Sequence, residues 1–194
     1  GAIGGNPTFQ PVTNRPNAAG MAIVFDGDGD SIIVPNAVQL ISDYATVSFW
    51  IRVDAQNLAD AEAYVLDFGH WSERWKISLP QHLKIVWTTN GNNLQFDHFI
   101  SDMDAKDGNE LVLGFWWYVT MVHDGTDDII YVDGVEVNRK PVATKLNSTA
   151  LPFGMRNNPV DGGQFFHGAL DEVKLYHKAL TGDEIFFFND TATT

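Results

Sequence analysis

Short runs of the chain alternate apolar and polar residues with a period of two, which is the pattern of half-buried β-strands. The clearest run covers residues 46–53, where every second side chain is apolar. The alternation starts again at five later points, at Tyr64, Trp75, Leu83, Leu94 and Trp117. Clusters of Gly, Asn and Asp separate these runs, and such spacing is typical of a β-sandwich or barrel.

Two local motifs predict a turn and a helix. Asp133-Gly134 lies between alternating segments at residues 129–132 and 135–137. An Asp-Gly pair in that setting favours a tight hairpin turn with positive φ at both residues. Near the C-terminus, Thr181 and Glu184 have the spacing of a capping box. We therefore predict a hairpin at the first motif and one short C-terminal helix at the second, in an otherwise all-β chain.

Composition supports one domain with a distinct N-terminal segment. The 194-residue chain is 44% hydrophobic and 12% aromatic, which is enough apolar surface for a core between two sheets. Residues 1–20 differ from the rest, because Gly, Pro, Asn and Ala dominate them. That composition is typical of loops, so it predicts a flexible leader or linker over residues 1–20. The domain itself is predicted over residues 21–190.

The charge balance narrows the possible partners. Lys and Arg total 12 against 25 Asp and Glu, which gives a net charge of −13. A nucleic acid partner is disfavoured, because binding a polyanion needs basic residues, and an anionic membrane surface is disfavoured for the same reason. No window reaches the roughly 20 apolar residues of a membrane span, so membrane insertion is not expected. Divalent cations, neutral sugars and basic protein surfaces remain as partners.

Four segments carry a family resemblance. They are residues 22–35 with their Asp-Gly-Asp-Gly-Asp run, 46–51, 115–134 with the run Phe-Trp-Trp-Tyr-Val-Thr, and 168–185. In this order they resemble the laminin-G-like jelly-roll domains of the concanavalin A-like lectin and glucanase superfamily. The resemblance implies a two-sheet antiparallel jelly-roll sandwich, with Trp50 and Trp117 at packed positions.

A calcium site is predicted at four aspartates, Asp26, Asp28, Asp30 and Asp171. The first three alternate with glycines and supply the hard oxygen ligands that Ca²⁺ prefers. Asp171 alternates with Val173 and Leu175, so its carboxylate is expected to point toward the core, where a charge needs a cation or several donors. The resemblance implies a structural Ca²⁺ between the first and last strands, which would bring Asp26 and Asp171 together. The alternative is a solvated turn and an aspartate hydrogen-bonded to backbone amides.

A ligand site is predicted at polar and aromatic residues between strands. Sugars stack on aromatic rings while polar side chains bind their hydroxyls, and loops are the usual place for such groups. For Trp75 the alternative is a core position, because it also heads an alternating apolar run. The predicted ligand-binding residues are His70, Trp71, Arg74, Trp75, Arg156, Asn157 and Asn158.

Catalysis is not expected. Glycosidases of the similar superfamily carry two cooperating carboxylates, as in a Glu-x-Asp-x-x-Glu run, and a retaining pair lies about 5 Å apart. The sequence contains no such run. Asp171 and Glu172 are adjacent, so strand geometry predicts that they point to opposite faces and cannot cooperate. We therefore predict no catalytic residues.

These observations together predict a function. The chain is interpreted as a non-catalytic, lectin-like module, stabilised by calcium, that binds a glycan or polysaccharide. It has no Cys, which fits either the cytosol or a secreted bacterial protein without disulfides. We expect it to belong to a larger secreted or cell-surface bacterial protein and to contact that protein's other domains. The alternative is a structural or protein-binding adhesin domain, active in cell adhesion, without a sugar site.

Overall fold

A computed structural model of the chain describes residues 2–15, 19–34, 43–55, 62–67, 75–80, 85–89, 95–98, 113–142, 151–153 and 165–191. These residues form fourteen β-strands and one α-helix. The elements are β1 (Ala2–Gly4), β2 (Thr8–Pro11), β3 (Met21–Asp26), β4 (Ser31–Val34), β5 (Ala45–Val53), β6 (Glu62–Asp67), β7 (Trp75–Pro80), β8 (Ile85–Thr89), β9 (Gln95–His98), β10 (Trp116–His123), β11 (Asp127–Val132), β12 (Val135–Pro141), β13 (Leu151–Phe153), β14 (His167–Tyr176) and α1 (Gly182–Thr191).

The strands form two seven-stranded sheets. The first sheet has the order β1-β4-β13-β6-β7-β8-β9, and the second has the order β12-β11-β10-β5-β14-β3-β2. Neighbouring strands run antiparallel in both sheets. The sequence-based prediction of an all-β, two-sheet antiparallel sandwich with one short helix is therefore confirmed.

The main core lies between the two sheets and follows the alternation of the sequence. In β5, Val47, Phe49, Ile51 and Val53 are almost completely buried in this core. The rings of Phe25 and Phe166 also meet there, with their centroids 6.0 Å apart. Burying side chains of this size stabilises the fold by about 1.5–3 kcal/mol each. The period-two pattern is thus the direct cause of the layered architecture.

A second apolar layer covers the outer face of the second sheet. Trp50, Trp116 and Tyr118 are buried there together with Val12 of the N-terminal segment. The Trp50 and Tyr118 rings lie 5.2 Å apart. Trp117 faces the other way and packs against the main core. The packing roles expected for Trp50 and Trp117 agree with this arrangement, although Trp50 packs outside the sheet rather than between the sheets.

The predicted hairpin and helix are both present. Asp133 and Gly134 join β11 to β12 with φ angles of 48° and 81°. The Thr181 N–H donates to Glu184 Oε2 over 2.9 Å, and the Glu184 N–H donates to Thr181 Oγ1 over 3.3 Å, which is a capping box at the start of α1. Among the described residues no helix has the length and apolarity needed to cross a bilayer.

The N-terminal segment differs from its prediction. Residues 1–20 were expected to form a flexible leader or linker, but β1 pairs with β4 at the edge of the first sheet and β2 pairs with β3 at the edge of the second. Every side chain of β2 is exposed. Such an edge strand is stabilised by its backbone hydrogen bonds and has no buried face, so it leaves no period-two signal in the sequence.

Candidate functional site

The acidic turn between β3 and β4 is satisfied mainly by backbone amides. Asp30 is 1% exposed, and its two carboxylate oxygens accept from the Asn6 N–H over 2.7 Å and from the Asp26 N–H over 3.0 Å. Asp26 in turn accepts from the Asp28 N–H over 2.8 Å. Positive φ angles at Gly27 and Gly29 allow the chain to turn this tightly. Asp30 therefore ties the N-terminal segment to this turn.

The register of β3 against β14 separates two of the predicted calcium ligands. The two strands are neighbours, but Asp26 lies opposite His167. Asp171 lies four residues further along β14, which is about 13 Å away along the strand. The expected meeting of Asp26 and Asp171 around one ion is therefore wrong. No group of three or more His, Cys, Asp or Glu in the described segments is arranged to hold a metal ion. Calcium at Asp26, Asp28 and Asp30 stays a prediction.

A β-bulge turns Asp171 away from the core. Asp171 pairs with Trp50 and Lys174 pairs with Ser48, so β14 advances three residues while β5 advances two. Glu172, inside the bulge, has a φ of 49°. The extra residue reverses the alternation. Asp171 therefore shares the outer face with Trp50, and the expectation that it points inward is wrong because the alternation was counted through the bulge.

Arg15 supplies the counter-charge for Asp171. Its Nη2 atom lies 3.1 Å from Asp171 Oδ2 and 3.2 Å from Glu172 Oε1. Both adjacent carboxylates thus reach one nitrogen, which corrects the prediction that they point to opposite faces. Burial raises the pKa of Asp171, and the Glu172 N–H and the Arg15 charge oppose this rise. Burial also acts to raise the pKa of Glu172, but the hydrogen bond from Lys174 and the charge of Arg15 outweigh it and lower that pKa.

A polar cluster lies on the outer face of the first sheet. It consists of Glu62, Tyr64, Lys76 and Ser78 on β6 and β7. The Lys76 Nζ atom donates to both Glu62 carboxylate oxygens over 2.6 Å and to the Tyr64 hydroxyl over 3.1 Å. The Ser78 hydroxyl donates to Glu62 as well. Lys76 is 5% exposed, whereas 21% of the Glu62 side chain is exposed. Glu62 is therefore the member through which this cluster reaches the surface.

The polar face continues across neighbouring strands. Lys76 pairs with Asp67 on β6 and with Thr88 on β8, and side chains of directly paired residues project to the same side of a sheet. Asp67 and Thr88 are both buried. The face thus combines carboxylates, an ammonium group and hydroxyls, and among these described groups it is the Glu62 carboxylate, held by Lys76 and Ser78, that is exposed enough to accept from the hydroxyls of a sugar. The signal in the sequence is the polar half of the alternation in β6 and β7, whereas the predicted ligand-binding residues lie between strands or at a strand end.

Most of the predicted ligand-binding residues lie outside the described residues. His70, Trp71 and Arg74 fall in the connection that leaves β6 after Asp67 and enters β7 at Trp75. Trp75 is the first residue of β7, which agrees with the alternating run that it was predicted to head, while both its ligand-binding role and its alternative as a core residue stay predictions. The remaining predicted residues, also outside the described segments, are Arg156, Asn157 and Asn158.

A cavity of about 330 Å³ opens between the sheets, near the edge formed by β2 and β3. Its lining is apolar except at Asp171 and Glu172. Phe9 and Met21 line the cavity and are 56% and 50% exposed, so apolar surface continues from it to the solvent. The apolar lining residues are Phe9, Met21, Ile23, Phe25, Ile32, Val34, Leu170 and Val173.

Solved structures of several binding domains share this fold. The binding domain of Paraclostridial Mosquitocidal Protein 1 superimposes with a TM-score of 0.76 at 18% identity, over 98% of this chain and 47% of that chain. A structure of botulinum neurotoxin type C, described as depending on two ganglioside molecules for cell entry, gives 0.70 at 17% identity over 98% and 46%. The binding domain of botulinum neurotoxin DC, in complex with SialylT, gives 0.71 at 17% identity over the same shares. The chain spans about half the length of these proteins.

Comparison with curated proteins found no match. A family model for the concanavalin A-like lectin/glucanases superfamily matches residues 26–186. The match begins at the end of β3 and ends within α1, so it covers most of both sheets. The predicted resemblance is confirmed: the chain belongs to the concanavalin A-like lectin/glucanases superfamily.

Proposed function

We propose that the protein is a non-catalytic carbohydrate-binding module. The observation that carries this proposal is the polar cluster on the outer face of β6 and β7, where Glu62 and Lys76 are fixed by mutual hydrogen bonds. Polar groups that are already positioned lose little entropy when they bind a ligand, which favours recognition of hydroxyl groups. Family membership supports the same proposal.

The predicted aromatic loop supports placing the sugar beside this cluster. The connection that carries His70, Trp71 and Arg74 starts and ends next to the paired residues Asp67 and Lys76. Under this proposal the Trp71 ring stacks on the sugar, and the cluster supplies hydrogen bonds. Related folds described with gangliosides and with SialylT add support from outside this chain.

The arrangement of acidic groups supports binding rather than hydrolysis. Glu62 and Asp67 are five residues apart on β6, a separation of about 15 Å, whereas a retaining glycosidase needs its two carboxylates about 5 Å apart. Glu62 is hydrogen-bonded by Lys76 and Ser78, and Asp171 and Glu172 both lie against Arg15. These described acids therefore do not form a hydrolytic pair.

A glycan array followed by titration tests the proposal. We expect binding of at least one neutral glycan, and we expect Trp71→Ala to weaken it tenfold or more, which is about 1.4 kcal/mol. Tyr64→Phe, which removes one hydroxyl from the polar cluster, should weaken it about fivefold. Phe115→Ala is the matched control, because Phe115 is 61% exposed just before β10 of the second sheet and should leave affinity unchanged. Folded protein that binds no glycan at millimolar sugar would contradict the proposal.

The second candidate function is a protein-contacting adhesin domain without a sugar site. The exposed apolar residues beside the 330 Å³ cavity, Phe9 and Met21, favour it because protein interfaces are built around such groups. Under this alternative, Trp71→Ala leaves partner binding intact, whereas Phe9→Ala weakens it. Pull-down of the parent protein's other domains with the two variants separates the candidates.

Location in a larger secreted or cell-surface bacterial protein remains part of the proposal. The acidic composition without Cys fits it. Fractionation of the source cells, with an antibody against the domain, tests where the parent protein lies.

A further inference from the structure

The outer face of the second sheet holds a second cluster of aromatic and acidic side chains, which encloses the guanidinium group of Arg15. We call it the arginine cage and define it as Trp50, Trp116, Asp171 and Glu172. The Arg15 Cζ atom lies 4.8 Å from the Trp50 ring centroid and 6.0 Å from that of Trp116. Its Nη2 atom meets both carboxylates at 3.1 and 3.2 Å, and only 1% of its side chain is exposed.

The geometry of the cage matches guanidinium chemistry. Aromatic faces within about 6 Å attract a cation, and a planar guanidinium can stack on a ring and meet carboxylates along its edge. Two adjacent residues of a regular strand cannot face the same ligand. The bulge in β14, with Glu172 at a φ of 49°, brings Asp171 and Glu172 to one side. A strained backbone conformation that gathers charge at one point is a common feature of binding sites.

The occupant comes from a peripheral segment. Arg15 follows β2, an edge strand whose side chains are all exposed. Within the described part of the chain, the Nε and Nη1 atoms of Arg15 and the Oδ2 atom of Asp171 are buried without a hydrogen-bond partner, so Arg15 forms an ion pair with Asp171 and a hydrogen bond with Glu172. The cage thus fits the charge and the planar shape of the guanidinium group. The segment that carries Arg15, however, leaves two of its N–H donors without a hydrogen bond.

We propose that the arginine cage is a binding site for alkylguanidinium cations, with Arg15 as its resident ligand. An arginine side chain or a small alkylguanidinium compound takes the same position once the Arg15 side chain is removed. The proposal concerns the second sheet and is independent of the carbohydrate site on the first.

Chemical rescue of Arg15→Ala tests the proposal. The variant should melt below the wild type, because Asp171 and Trp50 lose the cation that lies against them, although Glu172 keeps Lys174 and Trp116 keeps Arg52. Ethylguanidinium should then raise its Tm by about 3–6 °C at ten times the dissociation constant, as mass action predicts for a ligand of the folded state. The wild type, whose cage is filled, should show no rise.

Three controls make the result decisive. Arg52→Ala, which removes a neighbouring arginine 5.3 Å from the Trp116 ring, should not be rescued, because Arg52 pairs with Asp54 instead of the cage acids. The double variant with Asp171→Asn should lose the rescue. Ethylammonium, with the same charge but no planar group, should not replace ethylguanidinium. Equal rescue by both compounds, or none with folded protein, would overturn the proposal.

A conservative variant covers the case in which Arg15→Ala does not fold. Arg15→Lys keeps the charge but loses the planar fork that stacks and bridges. We expect it to melt below the wild type and to show altered tryptophan fluorescence. A Tm equal to that of the wild type would mean that the cage recognises only charge, which contradicts the proposal.

Discussion

Aspartate side chains fix the turns of this protein at the scale of single residues. Asp133 shows how: its Oδ1 accepts from the Tyr118 N–H over 2.9 Å, while its own N–H donates to the Tyr118 carbonyl over 2.8 Å. It also holds the positive φ of the β11–β12 turn. Burial raises the pKa of Asp133, and the hydrogen bond from Tyr118 opposes this rise. The charge on this side chain therefore costs stability, whereas its oxygen and its backbone conformation stabilise the turn.

Asp133→Asn separates these effects. Asn keeps an oxygen that can accept from Tyr118 and tolerates positive φ, but it carries no charge. We expect the variant to be more stable than the wild type at neutral pH by at most about 0.5 kcal/mol, because solvent screens much of the charge of this exposed residue; denaturant unfolding measures the difference. Asp133→Ala is the control, because it loses both the acceptor and the tolerance of positive φ, and it should be less stable by about 1–2 kcal/mol.

The same substitution has a defined pH dependence. Because the pKa of Asp133 is higher in the folded protein than in the unfolded chain, the native state binds this proton more tightly. The free energy of unfolding that this group contributes therefore falls as the pH rises from about 3.9, the unfolded value, through the folded pKa. The advantage of Asp133→Asn should vanish below about pH 4 and be complete at neutral pH. An advantage that is constant with pH would refute this explanation.

At the scale of elements, β14 organises the second sheet. It pairs with β5 along one side and with β3 along the other, and its bulge sets which side chains face outward. Close approach of these strands depends on Gly168. A Cβ atom built at this position would lie 2.1 Å from the Arg52 carbonyl oxygen, which is backbone and cannot move aside alone.

Gly168→Ala should therefore disrupt the pairing of β14 with β5. We expect a loss of about 3 kcal/mol or more, or about 6–12 °C in Tm, followed by circular dichroism. Gly182→Ala is the matched control: it lies at the start of α1, and a Cβ there meets no atom closer than 3.9 Å. The control should be neutral or slightly stabilising. Similar melting of both variants would show that the contact at Gly168 is unimportant.

At the scale of the whole molecule, the N-terminal segment connects the two sheets. β1 lies at the edge of the first sheet and β2 at the edge of the second, and the turn between them is held at Asn6 by the buried Asp30. Arg15 then closes over the outer face of the second sheet. Asp30 and Asp171, which were predicted to bind one shared ion, thus hold the N-terminal segment at two separate places, at Asn6 and at Arg15.

Thermal melts with and without a chelator test calcium at the β3–β4 turn. A bound ion should show as a lower Tm in chelator, with a size set by mass action, and Asp28→Ala should remove that difference. Asp30→Ala should be less stable by about 2–4 kcal/mol in either buffer, because it leaves two amide donors without their acceptor. A melting temperature of the wild type that chelator does not change would contradict a calcium site at this turn.

The sequence by itself determined the features that depend on near neighbours. Alternation placed Val47, Phe49 and Ile51 in one core, Asp133-Gly134 specified its turn, and Thr181 with Glu184 specified the start of α1. Each is set by interactions within a few residues, so a local pattern is sufficient to predict it.

Only the tertiary structure decided the features that depend on distant strands. The register puts Asp26 opposite His167, the bulge turns Asp171 outward, and pairing of β6 with β7 and β8 gathers the polar cluster. β2, with no buried face, exists because β3 offers it a free edge. Register and bulges are properties of a strand pair rather than of one strand. For side chains outside any short-range pattern, long-range strand pairing therefore determines which groups they contact and what those groups can do together.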